Sequence, residues 1–195
     1  MQHKVRLTVI DKKVYPELQA AYCADPNAGP CPCYHVGDTF LFARYGAADD
    51  FWHGGLHTLC QTAQTADGTA GGEVPHCSEA WDAISRYIYA GLQGGSLMRG
   101  WMREENTMIA CCSDGTRPVI VKLERLDYCA AYLEGSRSRE DDLRIADALQ
   151  EIPSVQEIIF REHYAEIYLE HDLPEETIRQ AIEGCGAYRV MKIDR

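Results

Sequence analysis

The sequence predicts an α+β protein of two domains, residues 1–126 and 127–195. Two observations support this prediction. The pair Asp114-Gly115 separates two apolar, strand-like runs, and Asp-Gly between such runs is a strong signal for an antiparallel hairpin. After residue 126, strand and helix patterns follow one another in the order βαββαβ. The first domain holds most of the nine cysteines, so we expect a small cysteine-rich α/β domain followed by a second, separately built one.

Hydrophobic periodicity predicts the elements of the first domain. Alternating apolar residues indicate a strand over residues 3–10. Three apolar side chains at helical spacing then predict a short helix that buries Val14, Leu18 and Tyr22. The remaining elements are a strand over residues 39–44, a helix from its cap at Ser78 to Gly91, and the hairpin over residues 108–125.

Residues 46–75 form a long glycine-rich stretch without a clear period. Its first part, residues 49–60, contains large apolar side chains that should be ordered. Its second part, residues 61–72, is rich in threonine, alanine and glycine, and we expect it to be mobile. Long segments of this kind are uncommon in compact domains unless they serve a function.

In the second domain, turn residues separate six periodic segments. We predict strands over residues 127–133, 155–160, 164–169 and 188–193, and helices over residues 143–152 and from Asp172 to Gly184. Asp172 is the expected cap of the last helix, with Pro174 in its first turn. This order of elements is typical of a ferredoxin-like fold.

Charge and composition restrict the location and the partners. The net charge of −11 disfavours nucleic acid as a partner. The sequence contains neither an apolar run that approaches the roughly 20 residues of a membrane span nor a signal-peptide pattern at the N-terminus, so we expect a cytoplasmic protein with no membrane partner. In a reducing compartment, cysteines serve more often as metal ligands or redox groups than as structural disulfides.

Several cysteines occupy positions that suit a site. Cys31 and Cys33 lie in a loop, Cys77 directly precedes a helix, where backbone amides and the helix dipole favour a thiolate, and Cys111 and Cys112 end a strand. Neighbouring strand residues point to opposite faces, so a regular strand brings one of the last two to the site; periodicity does not decide which, and a bulge would admit both. Soft thiolates suit zinc, iron or copper. We therefore predict a metal site with the ligands Cys31, Cys33, Cys77, Cys111, Cys112 and His76.

Two alternatives remain open. In the first, the protein is a thiol-based redox enzyme in which Cys77 is the nucleophile and Cys31 or Cys33 resolves it as a disulfide. His76 or His53 is then the base, and Arg117 steadies an anionic group. In the second, the domain binds a small ligand without chemistry, in a pocket lined by aromatic side chains. Its candidate ligand-binding residues are Trp52, His53, His57, Trp81, Trp101 and Arg117. No catalytic residue is assigned, and Cys129 is expected to be an ordinary buried residue.

Both parts of the chain resemble known families. Residues 3–126 resemble an uncharacterised prokaryotic family of short cysteine-containing proteins. The resemblance rests on the region with Cys31-Pro32 and Val36-Gly-Asp38, the run from Pro75 to Trp81 and the run from Ala110 to Val119. Residues 128–193 resemble heavy-metal-associated domains, through Glu151 to Val155 and Ala181 to Gly184. That family binds metal through Cys-x-x-Cys in the loop after its first strand, which this chain lacks. The resemblance therefore implies a fold and a role in docking or homo-oligomerisation, without metal binding.

Overall fold

The computed structural model describes residues 3–43, 60–64, 77–135, 137–186 and 188–195. It is an α+β protein, as predicted, with four helices and eight strands among these residues. Contacts divide the chain into two compact units, Gln2–Arg125 and Leu126–Arg195. Every strand ladder given below is antiparallel.

The first unit combines a sheet with one long helix. Its elements are β1 (Lys4–Lys12), α1 (Pro16–Tyr22), β2 (Thr39–Ala43), β3 (Cys60–Gln64), α2 (Ser78–Leu92), β4 (Thr107–Cys111) and the beginning of β5 (Val119–Glu134). The strands are ordered β3-β2-β1-β5, with β4 also paired to β5. In the ladders, Val5 faces Phe42, and Ala110 faces Val121.

Helix α2 covers this sheet because one of its faces is apolar. Ala80, Ile84 and Ile88 recur at helical spacing, and all are buried in a single core with side chains from β1, β2 and β5. The approach is close at Gly91, where an added Cβ would lie 2.5 Å from a methyl group of Val5. The predicted helix boundaries are confirmed to within a residue, although Cys77 rather than Ser78 is the N-cap.

Two expectations for this unit are wrong. Helix α1 was expected to bury Leu18 and Tyr22, but it buries Gln19 and leaves both of those side chains exposed. The reason is that the Gln19 amide binds the backbone of a neighbouring loop. In a helix of seven residues, turning Gln19 inward turns the face with Leu18 and Tyr22 outward. The stretch over residues 61–72 was expected to be mobile, but residues 61–64 belong to strand β3, which pairs with β2. Residues 65–72, and residues 49–59 that were expected to be ordered, lie outside the described residues.

The second unit has two helices on one face of a four-stranded sheet. Its elements are the remainder of β5, α3 (Arg139–Gln150), β6 (Val155–Phe160), β7 (Tyr164–Leu169), α4 (Glu175–Glu183) and β8 (Arg189–Asp194). The strand order is β8-β5-β7-β6. Alternate residues of the strands point toward the helices and form a core around Ile145, Ile167 and Ile182.

Boundaries in this unit differ from the predicted ones. Helix α3 begins four residues earlier than expected, because Ser138 and Asp141 form a reciprocal capping box. Helix α4 is preceded by Pro174, without the side-chain cap expected from Asp172. Strand β5 runs for 16 residues through position 126, where the sequence suggested a change of element. The ladder with β4 and the ladders with β7 and β8 together keep this strand extended.

None of the described helices combines the length and the apolar character that a membrane span requires.

Candidate functional site

Helix α1 anchors the loop that carries Cys31 and Cys33. Gly29, just before it, has φ of +72°, a conformation that favours glycine. The buried Gln19 amide makes two hydrogen bonds to this residue: its Nε2 donates to the Gly29 carbonyl at 2.9 Å, and its Oε1 accepts from the Gly29 amide at 3.1 Å. One buried side chain thus fixes the point at which the chain enters the loop.

Strand β1 holds the rest of the loop. The Lys12 ammonium donates to the carbonyl of Cys31 at 2.5 Å and to the carbonyl of Tyr34 at 2.6 Å. The buried Asp38 carboxylate accepts from the His35 amide at 2.7 Å, and the Asp38 carbonyl accepts from the amide of Val9 at 2.9 Å. The loop is therefore anchored at both ends and across its middle.

Cys77 reaches the same region from helix α2. It has the extended backbone of an N-cap, its side chain makes no capping hydrogen bond, and its thiol is half-buried against the core. The turn of the β4–β5 hairpin is tied to this helix start, because the Ser113 amide and hydroxyl both donate to the Glu79 carbonyl at 3.4 Å.

Strand alternation decides between the two adjacent cysteines. Cys111, paired with Ile120, is exposed, whereas Cys112 is buried and faces the core side. The Val119 amide donates to the Cys112 sulfur at 3.3 Å, and the Cys112 amide donates to the Val119 carbonyl at 3.1 Å. Cys112 therefore belongs to the site region, and Cys111 points away from it.

Asp114 organises the hairpin turn and orients Arg117. One carboxylate oxygen accepts from the amide and the hydroxyl of Thr116, and the other accepts from Arg117 Nε at 3.1 Å. Burial acts to raise the pKa of Asp114, but these hydrogen bonds outweigh it and hold the pKa below its ordinary value. The carboxylate consequently stays ionised and fixes the guanidinium.

These segments converge on one pocket of about 80 Å³. Its lining residues include four cysteines, of which Cys33 is exposed, Cys112 is buried and the other two are half-buried, together with one arginine and two acidic residues: Cys31, Cys33, Cys77, Cys112, Arg117, Glu79 and Asp114. A smaller apolar cavity of about 20 Å³ shares four lining residues with it, namely Tyr34, Ala80, Cys112 and Val119.

The thiols lie close enough to influence one another. The pKa of Cys33 is raised first by partial burial, then by the neighbouring Cys31 thiol, which is also hydrogen-bonded to it, and by Cys77. The Arg117 guanidinium acts in the opposite direction. The pKa of Tyr34 lies far above its ordinary value, first because of burial and then because of the thiols of Cys77, Cys33 and Cys31. A hydrogen bond with the Cys77 backbone acts to lower this pKa. At neutral pH, Cys33 therefore keeps its proton.

The described side chains do not already form a complete coordination shell. Within these ranges, no group of three or more Cys, His, Asp or Glu residues is arranged to hold a metal ion. Among the predicted ligands, His76 lies outside the described residues, as do the ligand-binding candidates Trp52, His53 and His57.

The other tryptophans lie elsewhere. Trp81 is half-buried against the core of the first unit, edge to face with Tyr89 at 6.4 Å between ring centroids. Trp101 is 80% exposed. Neither lines the pocket of the four thiols.

Sequence patterns did not reveal the residues that support the site. Lys12 and Gln19 bind backbone carbonyls and amides, and their spacing in the sequence does not predict such contacts. Tyr34 follows Cys33 directly, and an aromatic residue next to a cysteine pair was the one available hint. Asp114 was predicted as a turn residue, but its hold on Arg117 requires the folded turn.

Comparisons of the chain with models of protein families, with curated proteins and with solved structures return no match.

Proposed function

We propose that the unit Gln2–Arg125 binds a soft transition-metal ion, namely zinc, iron or copper, through the thiolates of Cys31, Cys33, Cys77 and Cys112. The observation that supports this proposal is the convergence of three separate segments of the chain, which bring four thiols to one small pocket. Four thiolates around one ion are a common tetrahedral shell, and thiolates select zinc, copper(I) and iron.

A bound cation would change the protonation of the pocket. Burial raises the pKa of Cys33 first, the nearby thiols of Cys31 and Cys77 raise it further, and the Arg117 guanidinium acts in the opposite direction. A bound cation reverses the balance and displaces the protons.

Binding requires a local rearrangement. Because no three described side chains are arranged to share an ion, the cysteine side chains must change their torsions to bind one. Cysteine has a single side-chain torsion, with three staggered positions, so this change is small for each residue. Cys111 lies on the opposite face and joins only if a bulge or a one-residue shift of register turns it over, which makes it a control for Cys112.

Elemental analysis of protein purified without oxygen tests this proposal. We expect one metal ion per chain and four additional reactive thiols after a chelator removes it. Cys112→Ala should weaken binding by at least about tenfold, because it removes a ligand, while Cys111→Ala should bind as the unmodified protein does. Metal-free protein in which all thiols react freely before chelation would exclude the site.

A second candidate is thiol redox chemistry in the same pocket. It is favoured by the hydrogen bond between Cys31 and Cys33 and by the nearby Arg117 guanidinium. In this alternative, the Cys77 thiolate attacks a disulfide substrate, forms a mixed disulfide and releases the first thiol. Cys31 or Cys33 then attacks the Cys77 sulfur, which releases the second thiol and leaves the protein oxidised with a disulfide between the two cysteines. A protein that is insensitive to chelators and has one hyper-reactive cysteine would favour this candidate over the metal site.

For the unit Leu126–Arg195, we infer a ferredoxin-like fold that serves self-association. The element order βαββαβ and the strand order β8-β5-β7-β6, with both helices on one face, support the fold. Among the described strands, β8 pairs on one side only, and it carries an exposed apolar side chain, Met191. An open strand edge with apolar surface suits pairing with a second copy of the chain.

Light scattering over about 1 to 100 μM protein tests the self-association. We expect a mass above that of the monomer, and Met191→Asp should shift it toward the monomer because a charge then lies on the pairing edge. Leu143→Asp is the matched control, since Leu143 on helix α3 is equally exposed, at 58%. A monomer at every concentration, or the same shift in both variants, would contradict association through β8.

A further inference from the structure

Lys12 makes contacts that its position alone would not lead one to expect. It ends strand β1, and its ammonium bridges two carbonyls, those of Cys31 and Tyr34, that flank the pair Cys31–Cys33. The next residue, Lys13, has an ordinary surface arrangement, with an exposed side chain paired with Asp11. Of these two neighbouring lysines, Lys12 therefore binds the cysteine loop, whereas Lys13 pairs with Asp11.

Gln19 contributes a second, independent anchor. It is 2% exposed, which is unusual for a glutamine on a seven-residue helix whose apolar side chains face outward. Its amide pairs with the backbone of Gly29, as a strand neighbour would. A buried polar group that satisfies both its donor and its acceptor on one loop residue restricts that residue strongly.

We propose that Lys12 and Gln19 are positioning residues that hold the segment from Gly29 to Tyr34 in the shape that turns Cys31 and Cys33 into the pocket. Neither residue lines the pocket. They act through the backbone of the loop, two hydrogen bonds each. This inference rests on the proposed function, since it names what prepares two of the four thiols for the ion.

The physical advantage is preorganisation. A loop of six residues that became ordered only on binding would lose backbone entropy of about 1 kcal/mol or more per residue, and this loss would reduce the affinity. Anchors that order the loop beforehand transfer that cost to folding. Partners that orient metal ligands without touching the metal typically change affinity by about 10- to 100-fold when removed.

The experiment compares four substitutions in the intact chain: Lys12→Met, Lys12→Arg, Gln19→Met and the control Lys13→Met. Zinc affinity is measured by competition with a chromophoric chelator. Cobalt(II) is then used as a probe, because the intensity of its thiolate charge-transfer absorption reports how many thiolates are bound. Amide hydrogen exchange over residues 29–34 and the alkylation rate of Cys33 are measured in the metal-free protein.

We expect Lys12→Met and Gln19→Met to weaken zinc binding by about 10- to 100-fold and to reduce the cobalt charge-transfer intensity. Lys12→Arg should restore most of both, because it keeps a cationic donor, and Lys13→Met should match the unmodified protein. Unchanged affinity and spectra in Lys12→Met and Gln19→Met would overturn the inference. An equal loss in Lys13→Met would also overturn it, since the effect would then be one of net charge.

The metal-free measurements separate this inference from the proposed function. If the intact protein binds no metal, the proposed function fails, but the positioning role is still decided by the loop itself. Faster amide exchange over residues 29–34 and faster alkylation of Cys33 in Lys12→Met and Gln19→Met, with an unaltered unfolding temperature, support the role. Unchanged exchange and alkylation exclude it.

Discussion

Cys111 and Cys112 are adjacent in the sequence, but only Cys112 lies at the pocket. Their side chains lie on opposite faces of the same strand end, so one thiol is buried beside the pocket and the other is exposed. The register Cys111↔Ile120 and the two hydrogen bonds between Cys112 and Val119 keep this assignment. A slip by one residue would exchange the two thiols.

Cys129, in the second unit, offers a pH-dependent measurement of a buried thiol. Its side chain is 1% exposed, and burial raises its pKa from 9.0 to about 11. Between these values the unfolded chain loses the proton while the folded chain keeps it, so unfolding becomes more favourable as the pH rises. Two pKa units correspond to a total loss of about 3 kcal/mol in the free energy of unfolding, of which about 2 kcal/mol develops between pH 9 and pH 11.

Denaturant unfolding of the unmodified protein and of Cys129→Ala, measured at intervals over that pH range, checks this expectation. The substitution also leaves a small cavity, but the cavity lowers stability equally at every pH. The slopes are therefore compared, and other titrating groups cancel in the difference. Parallel slopes would show that the thiol does not titrate differently in the folded and unfolded states.

At the scale of elements, local signals predicted what local forces determine. Helix α2 has an apolar stripe that no other conformation would bury as well, and the β4–β5 hairpin has Asp-Gly in its turn. The sequence also placed Cys31, Cys33, Cys77 and Arg117 among the candidate residues, and all four line the pocket. These residues could be predicted because each occupies a loop, a helix start or a turn that is visible in the sequence.

Tertiary contacts decided the elements that were mispredicted. Helix α1 has apolar residues at helical spacing, yet it turns inward the one side chain, Gln19, that can satisfy the backbone of Gly29. Strand β5 remains extended past residue 126, because partners from both units pair with it. Periodicity describes one segment at a time, so it contains no information about which neighbour a polar group or a strand edge will meet.

At the scale of the whole chain, the thiols are unevenly distributed between the two units. All four cysteines of the pocket belong to the unit Gln2–Arg125, whereas the unit Leu126–Arg195 carries Cys129 and Cys185 outside it. A ligand stabilises only the states that bind it. The energetic effect of a metal ion should therefore be largest in the first unit, although β5 belongs to both.

Amide hydrogen exchange with and without zinc measures that distribution. At a free zinc concentration about 100 times the dissociation constant, the folded first unit gains about 2.7 kcal/mol, which slows exchange through its unfolding by roughly 100-fold. We expect this slowing in peptides from β1, β2 and α2, and little change in peptides from α3 and α4. The variant Cys112→Ala, measured under the same conditions, should abolish the slowing because it removes one ligand. Equal slowing in both units would instead mean that the chain opens as a single cooperative structure through β5, and slowing that persists in Cys112→Ala would mean that zinc binds elsewhere.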